Sequence, residues 1–214
     1  MWAETNRRKI DHIVYCVPNL EEGMSYIEDL FGVAPIIGGK HLSKGTMNAL
    51  LNLGDACYLE ILAVDKDNKD FEGIRWMGID SIHTPQIMRW ALKSGNIDAD
   101  HGTLSKYSAA HGIIEGGSRQ TTDGRLLNWQ MTLPTTAAEV DVLPFITDWS
   151  KSASHPTVTL DEHCYLRAIE LFHPSPSQVQ SILRDLDVNL NIRQGDKEQI
   201  VIHVDTPKGL KILF

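Results

Sequence analysis

The sequence predicts an α+β protein built from repeated βαβββ units, with mostly antiparallel sheets. Three observations predict it. Strand-then-helix starts recur near Ile10, Ile87 and Leu166, 77 and 79 residues apart. Each predicted helix is followed by β-rich segments separated by Gly or Asp turn signals. The strands are rich in β-branched and aromatic residues, whereas the helices carry one apolar stripe. Residues 1–80 then form the first unit, 81–160 a second that packs with it, and 161–214 a third, shorter one.

In the first unit residues 9–17 read as a strand that Pro18 ends. Asn19 is the predicted N-cap of a helix, with Glu22 three residues on; Leu20, Met24, Ile27 and Phe31 form its stripe, and Gly32 stops it. Residues 45–53 and 56–62 read as a hairpin around Gly54-Asp55. In the second unit residues 87–92 are a strand, Gly95-Asn96 a break, and 98–111 a helix stopped by Gly112. Strands follow at 115–120, 126–132 and 143–149, the first two joined by a turn at 122–124. The third unit opens with a strand at 166–172. Ser175 is its N-cap, Pro176 the first helical residue and Gln178 the third; Val179, Ile182, Leu183 and Leu186 form the stripe. Strands at 189–193, 199–204 and 210–214 complete it. One face of each sheet is covered by its helix, and the other is expected to bury against a neighbouring unit.

Composition narrows the function. The 214 residues carry 20 basic and 28 acidic side chains, a net charge of -8, which argues against nucleic acid as a partner. No apolar run reaches the roughly 18 residues of a membrane helix, and residues 1–9 lack the apolar core of a secretory signal. Three widely spaced cysteines (Cys16, Cys57 and Cys164) exclude a disulfide scaffold and a four-cysteine zinc site, and a cytoplasmic location is expected. Neither a G-x-S-x-G elbow nor a phosphate-binding glycine loop is present.

Strand alternation indicates where chemistry can sit. Ile10, His12, Val14 and Cys16 share one face of the opening strand, with Asp11, Ile13, Tyr15 and Val17 on the other. Tyr58, Glu60 and Leu62 share a face of the unit's last strand. A carboxylate in so apolar a strand is costly to bury unless it is paired or binds a metal, and an imidazole with a carboxylate suits a divalent ion. Taken singly, a strand His is more often a hydrogen-bonded core residue and a strand Glu usually faces solvent.

The segments Ile10-Asp-His-Ile-Val14 and Cys57-Tyr-Leu-Glu-Ile-Leu62 resemble the vicinal oxygen chelate superfamily, and in particular its glyoxalase-like branch. Further segments share the likeness: Gly39-Lys-His41 leading into Gly45-Thr-Met-Asn48, then Arg75-Trp76, Asp123 to Trp129, Pro144-Phe145 to Trp149, and His155-Pro156. The resemblance spans residues 9–173. It implies glyoxalase/bleomycin-resistance-like sheets, in which two βαβββ units form a U-shaped cleft. The opening and closing strands of both units would hold a divalent Zn, Mn, Fe or Ni ion that chelates two neighbouring substrate oxygens. His12 and Glu60 match the first unit's ligand positions, Glu60 doubling as proton acceptor. The second unit departs from the pattern: Arg89 and Trp90 occupy the middle of its opening strand, and Asp148 is the acid of its closing strand.

His41, in a loop beside Gly38-Gly39, and His155, held extended before Pro156, can complete the site or bind substrate; exposed loop histidines are an equal reading. Asn48 can donate into the cleft or satisfy a turn. Arg75 and Arg89 can pair an acidic substrate group, or form surface salt bridges. His101, His111 and His203 read as structural. Two functions follow for a small-molecule ligand: a metal-dependent lyase, isomerase or dioxygenase, or a metal-free binding protein using the same cleft. A homodimer is compatible with the odd third unit.

Overall fold

The computed structural model describes residues 8–214 except 108, 112, 121–123 and 125. The predicted turn at 122–124 and the helix stop at Gly112 fall wholly or partly outside the described residues.

The first unit comprises β1 (Ile10–Cys16), α1 (Leu20–Phe31), β2 (Ile36–His41), β3 (Thr46–Asn52) and β4 (Tyr58–Val64). Helix α1 forms as its sequence dictates. The Asn19 side chain accepts from the backbone N–H groups of Glu21 and Glu22, and Gly32 closes the helix in the left-handed region at φ 79°. Leu20, Ile27 and Phe31 are buried against the sheet. Strand β2 departs from expectation, because the Gly38-Gly39 segment is paired with β3 and not looped. A register shift between Ile37 and Gly39, with Gly39 at φ 146°, accommodates the two glycines. His41 is therefore the last residue of a strand, and it is buried.

The second unit comprises β5 (Gln86–Lys93), α2 (Ile97–Ser105), β6 (Ile114–Gln120), β7 (Leu126–Thr132) and β8 (Phe145–Asp148). Helix α2 is shorter than predicted. After Leu104 the described residues of the segment offer no further buried apolar position in register, and the chain tightens as Lys106 N–H bonds Thr103 C=O. His111 thus lies in a separate 3-10 turn, bonded to Asp141 at 2.8 Å. The third set is β9 (Tyr165–His173), α3 (Pro176–Asp185), β10 (Ile192–Gln194), β11 (Gln199–Thr206) and β12 (Gly209–Leu213).

Among the described residues the strands form two sheets. The larger runs β2-β3-β4-β1-β5-β8-β7-β6. In each of its halves the opening strand pairs in parallel with that half's last strand, and β1 and β5 join the halves antiparallel at the centre. The two units therefore meet edge to edge and do not stack face to face. The sheet curls until its outer strands approach: Lys44 pairs with Glu115 at 2.6 Å, and Arg119 on β6 reaches Asn48 on β3.

The smaller sheet runs β10-β9-β11-β12. It has the chain order of the other units but a different pairing, with β10 beside β9 and not at the far edge. One large core cluster unites the convex face of the big sheet with this sheet and α3, through Ile13, Phe31, Trp90, Leu171, Leu183 and Ile202 among others. A second cluster, including Val14, Leu62, Trp76, Met88 and Trp129, lines the concave side. No helix among the described residues is long and apolar enough to cross a membrane.

Candidate functional site

The concave side holds a pocket lined by residues of both halves and of the connection between them. β1, β3 and β4 contribute His12, Asn48, Leu50, Tyr58 and Glu60; β6, β7 and β8 contribute Arg119, Trp129, Met131, Phe145 and Thr147. Trp76 and Met77, from the connection between the halves, complete the wall with His41 and Trp149.

Strand β1 departs from simple alternation at its start. Between Ile10 and His12 its register with β5 shifts by one, so Asp11 is an extra residue against Leu92 and Ala91. Ile10 consequently packs with Ile13 in the large core, and Asp11 does not point away from His12. The Asp11 carboxylate is fully buried and bonds His12 Nδ1 at 2.6 Å, His155 Nε2 at 3.2 Å and the Trp149 indole N–H at 3.0 Å. Burial opposes its ionisation, but the bonds and positive charge from His12 and His155 outweigh that, holding it well below the usual carboxylate range. An ionised Asp11 can only accept, so His12 Nδ1 is a donor and Nε2 is the nitrogen turned to the pocket.

His12 Nε2 lies 3.7 Å from Glu60 Oε2. That is too long for a hydrogen bond and short enough for both groups to act on one atom group. The other Glu60 oxygen, Oε1, accepts from the Asn48 amide at 2.5 Å, and Asn48 Oδ1 in turn accepts from Arg119 Nη1 at 3.1 Å. This chain of bonds fixes the carboxylate and leaves Oε2 toward His12. Tyr58 stacks on the His12 ring with centroids 4.8 Å apart, and Phe145 meets its edge at 5.2 Å. Burial pushes the Tyr58 phenol up, and the nearby Asp11 and Glu60 charges add to the effect. His41 presents its ring to the edges of Trp76 and Trp129, while its Nδ1 bonds Thr46 Oγ1 at 3.1 Å. Burial pushes its imidazole below the usual value, against the pull of Glu60.

His12, Glu60, His41 and Asn48 therefore line one pocket, and His155 stands behind it, bonded to Asp11. Arg89 and Asp148 are not among its lining residues. Arg89 is buried elsewhere, its guanidinium donating to the carbonyls of Met88, Ala137 and Glu139 and to Thr135 Oγ1. Asp148 alternates away from Thr147 and Trp149, and accepts the Ser150 N–H at 2.8 Å. Register shows which residues mirror the pair. His12 is opposite Ala91 across the central strands. In the first half the pocket carboxylate lies two residues beyond Tyr58, the β4 partner of His12; the same step from Phe145, the β8 partner of Ala91, gives Thr147. Ala91 and Thr147 thus stand where His12 and Glu60 stand in the first half.

A divalent ion held by three or four protein donors does not fit this arrangement. Among the described residues His12 Nε2 and Glu60 Oε2 converge, Asp11 is committed to three donors, and the mirror positions carry a methyl and a hydroxyl. Among the described residues no group of three His, Cys, Asp or Glu side chains is placed to hold a metal. Asp11, Tyr58, Thr147 and Arg119 were not singled out from sequence. Asp11 needs the bulge to be visible, and Arg119 is one basic residue on a strand whose partner across the cleft no local pattern reveals.

A family model described as a glyoxalase-like domain matches residues 10–186. Among solved structures, a hypothetical protein from Staphylococcus aureus aligns with a TM-score of 0.66 at 17% identity, over 90% of this chain and 88% of that one. It shares the fold. Methylmalonyl-CoA epimerase from Mycobacterium tuberculosis aligns with a TM-score of 0.42 at 17% identity, over 69% of this chain and 91% of that one. The search of curated proteins gave no match.

Proposed function

The chain belongs to the glyoxalase-like domain family, and from that premise we propose that it is a proton-transfer enzyme acting on a small carbonyl compound with neighbouring oxygens. The observation that carries this reading is the 3.7 Å gap between His12 Nε2 and Glu60 Oε2, each held from behind by its own partner. Glu60 Oε2 takes the proton from the carbon beside the carbonyl. The electron pair moves onto the carbonyl oxygen, where His12 in its doubly protonated form, its Nδ1–H held by the Asp11 carboxylate, donates from Nε2 to the developing charge. Return of the proton to the opposite face of the same carbon completes an epimerisation; return to the neighbouring carbon, with the hydroxyl proton passing from one oxygen to the other, completes an isomerisation. The aromatic walls exclude water from the step.

The test uses hydroxyacetone in D2O, followed by proton NMR. The wild-type protein is expected to accelerate deuterium entry beside the carbonyl, and Glu60→Gln and His12→Ala to lose the acceleration while folding normally. Exchange that survives in both variants would sink the proposal. One observation favours a second, metal-assisted reading: a buried carboxylate behind an imidazole is also the arrangement that orients a metal ligand. Elemental analysis of protein purified without chelators separates the two, since stoichiometric metal lost in His12→Ala would favour the second.

A further inference from the structure

We infer that the substrate or ligand of this pocket is a planar carboxylate whose charged end is held by Arg119. The inference rests on the pocket described above but not on its proton chemistry. Arg119 lies on β6, at the far edge of the second half, and is 7% exposed. Its Nη1 crosses the cleft to Asn48 Oδ1. Among the described residues no carboxylate comes within ion-pair distance of it; Glu60, the acid on the same bond chain, is separated from it by the Asn48 amide. A guanidinium so enclosed lacks the countercharge that normally offsets the cost of burial. A ligand carboxylate supplies it, in the two-pronged geometry that guanidinium favours.

Two further features point to the same ligand. Trp76 Nε1 and Thr147 Oγ1, both on lining residues, are buried without a hydrogen-bond partner, and both are able to donate. Acceptor oxygens on a ligand satisfy such donors. The remaining lining presents the rings of Tyr58, Trp76, Trp129 and Phe145, which favour a flat, sp²-rich body over a branched aliphatic one. The Asn48 spacer lets one end of the ligand meet a cation while the other meets the Glu60 carboxylate without direct repulsion. Gly38 makes the crossing feasible. A Cβ there would lie 2.3 Å from Arg119 Nη1 and 2.4 Å from Asn48 Oδ1, so any side chain displaces the guanidinium.

Calorimetric titration with benzoate and its neutral isostere benzamide tests the inference. Wild-type protein is expected to bind benzoate at least tenfold tighter than benzamide. Arg119→Met is expected to bring benzoate down to the benzamide level, and Gly38→Ala, which keeps the charge but moves it, to weaken benzoate in the same direction. Asp148→Ala, outside the pocket, is expected to retain the preference. Equal binding of the two probes, binding of neither, or a benzoate preference that survives Arg119→Met overturns the inference. Hydroxyacetone is uncharged, so deuterium exchange can succeed where this titration fails, and the reverse.

Discussion

The two halves of the large sheet have one pairing scheme and two chemistries. In the first half, strands β1, β3 and β4 bring an imidazole, an amide and a carboxylate to the cleft. In the second, the matching positions on β5 and β8 carry Ala91 and Thr147, and the cleft face is filled by Trp129, Met131 and Phe145. The lesson is that the repeat supplies walls twice and the pair proposed for proton transfer once. Register, not sequence likeness, exposes it: Arg89 and Asp148 are the polar residues nearest the expected ligand positions in sequence, yet one is bonded to backbone carbonyls and the other alternates to the opposite face.

The largest expected effect breaks this comparison if it fails. Glu60→Gln is expected to lower the hydroxyacetone exchange rate by roughly 10²- to 10⁴-fold, the usual worth of a positioned general base. Its mirror, Thr147→Val, removes a hydroxyl at the same depth and is expected to change the rate by less than about fivefold, about the 1 kcal/mol of one ordinary hydrogen bond. Rates measured side by side by NMR decide it. Equal losses in both variants would mean that the second half reacts as well as the first.

Next in size is a contrast between two buried acids. Asp11→Ala strips three donors of their acceptor and leaves His12, His155 and Trp149 unsatisfied, at a cost of about 3 kcal/mol. Thermal unfolding should then fall by roughly 6–12 °C for a chain of this size. Asp148→Ala loses one bond to the Ser150 N–H and should cost about 1 kcal/mol. The Asp11 difference also has a pH signature. Its folded-state pKa is lowered, so its contribution is complete above the ordinary carboxylate pKa of about 3.9 and fades as pH falls below that. Parallel melting curves at pH 7 and pH 3.5 would show the gap between wild type and Asp11→Ala narrowing in acid.

Much of this was legible in the sequence. Asn19, Gly32 and the 20-24-27-31 stripe specify α1 because capping and helical periodicity are local, and the order of strands follows from turn residues and β-branched runs. That His12 and Glu60 face one pocket was legible because each is a polar residue in a largely apolar strand. Three features were not. The bulge that turns Asp11 toward His12 depends on pairing with β5, some 80 residues away. Strand β2 contains two glycines, which read as a loop until β3 supplies its hydrogen bonds. The bond from Arg119 to Asn48 joins residues separated by 71 positions, and only the curl of the sheet brings them together.

His41 provides the smallest and most selective test of the contrast, because it sits where the two halves meet. Its ring touches Trp76 from the connection and Trp129 from the second half, while the Glu60 charge of the first half pulls against its burial. Burial wins, and its folded-state pKa is lowered. The unfolded chain therefore binds a proton near pH 6.5 that the folded chain resists, so stability is complete above that pH and declines as pH falls through it. His41→Gln removes this loss, and its melting temperature should fall less steeply than wild type between pH 7 and 5. A steeper fall in the variant would mean that Glu60 outweighs burial at His41, and that the charge of the first half governs the whole cleft.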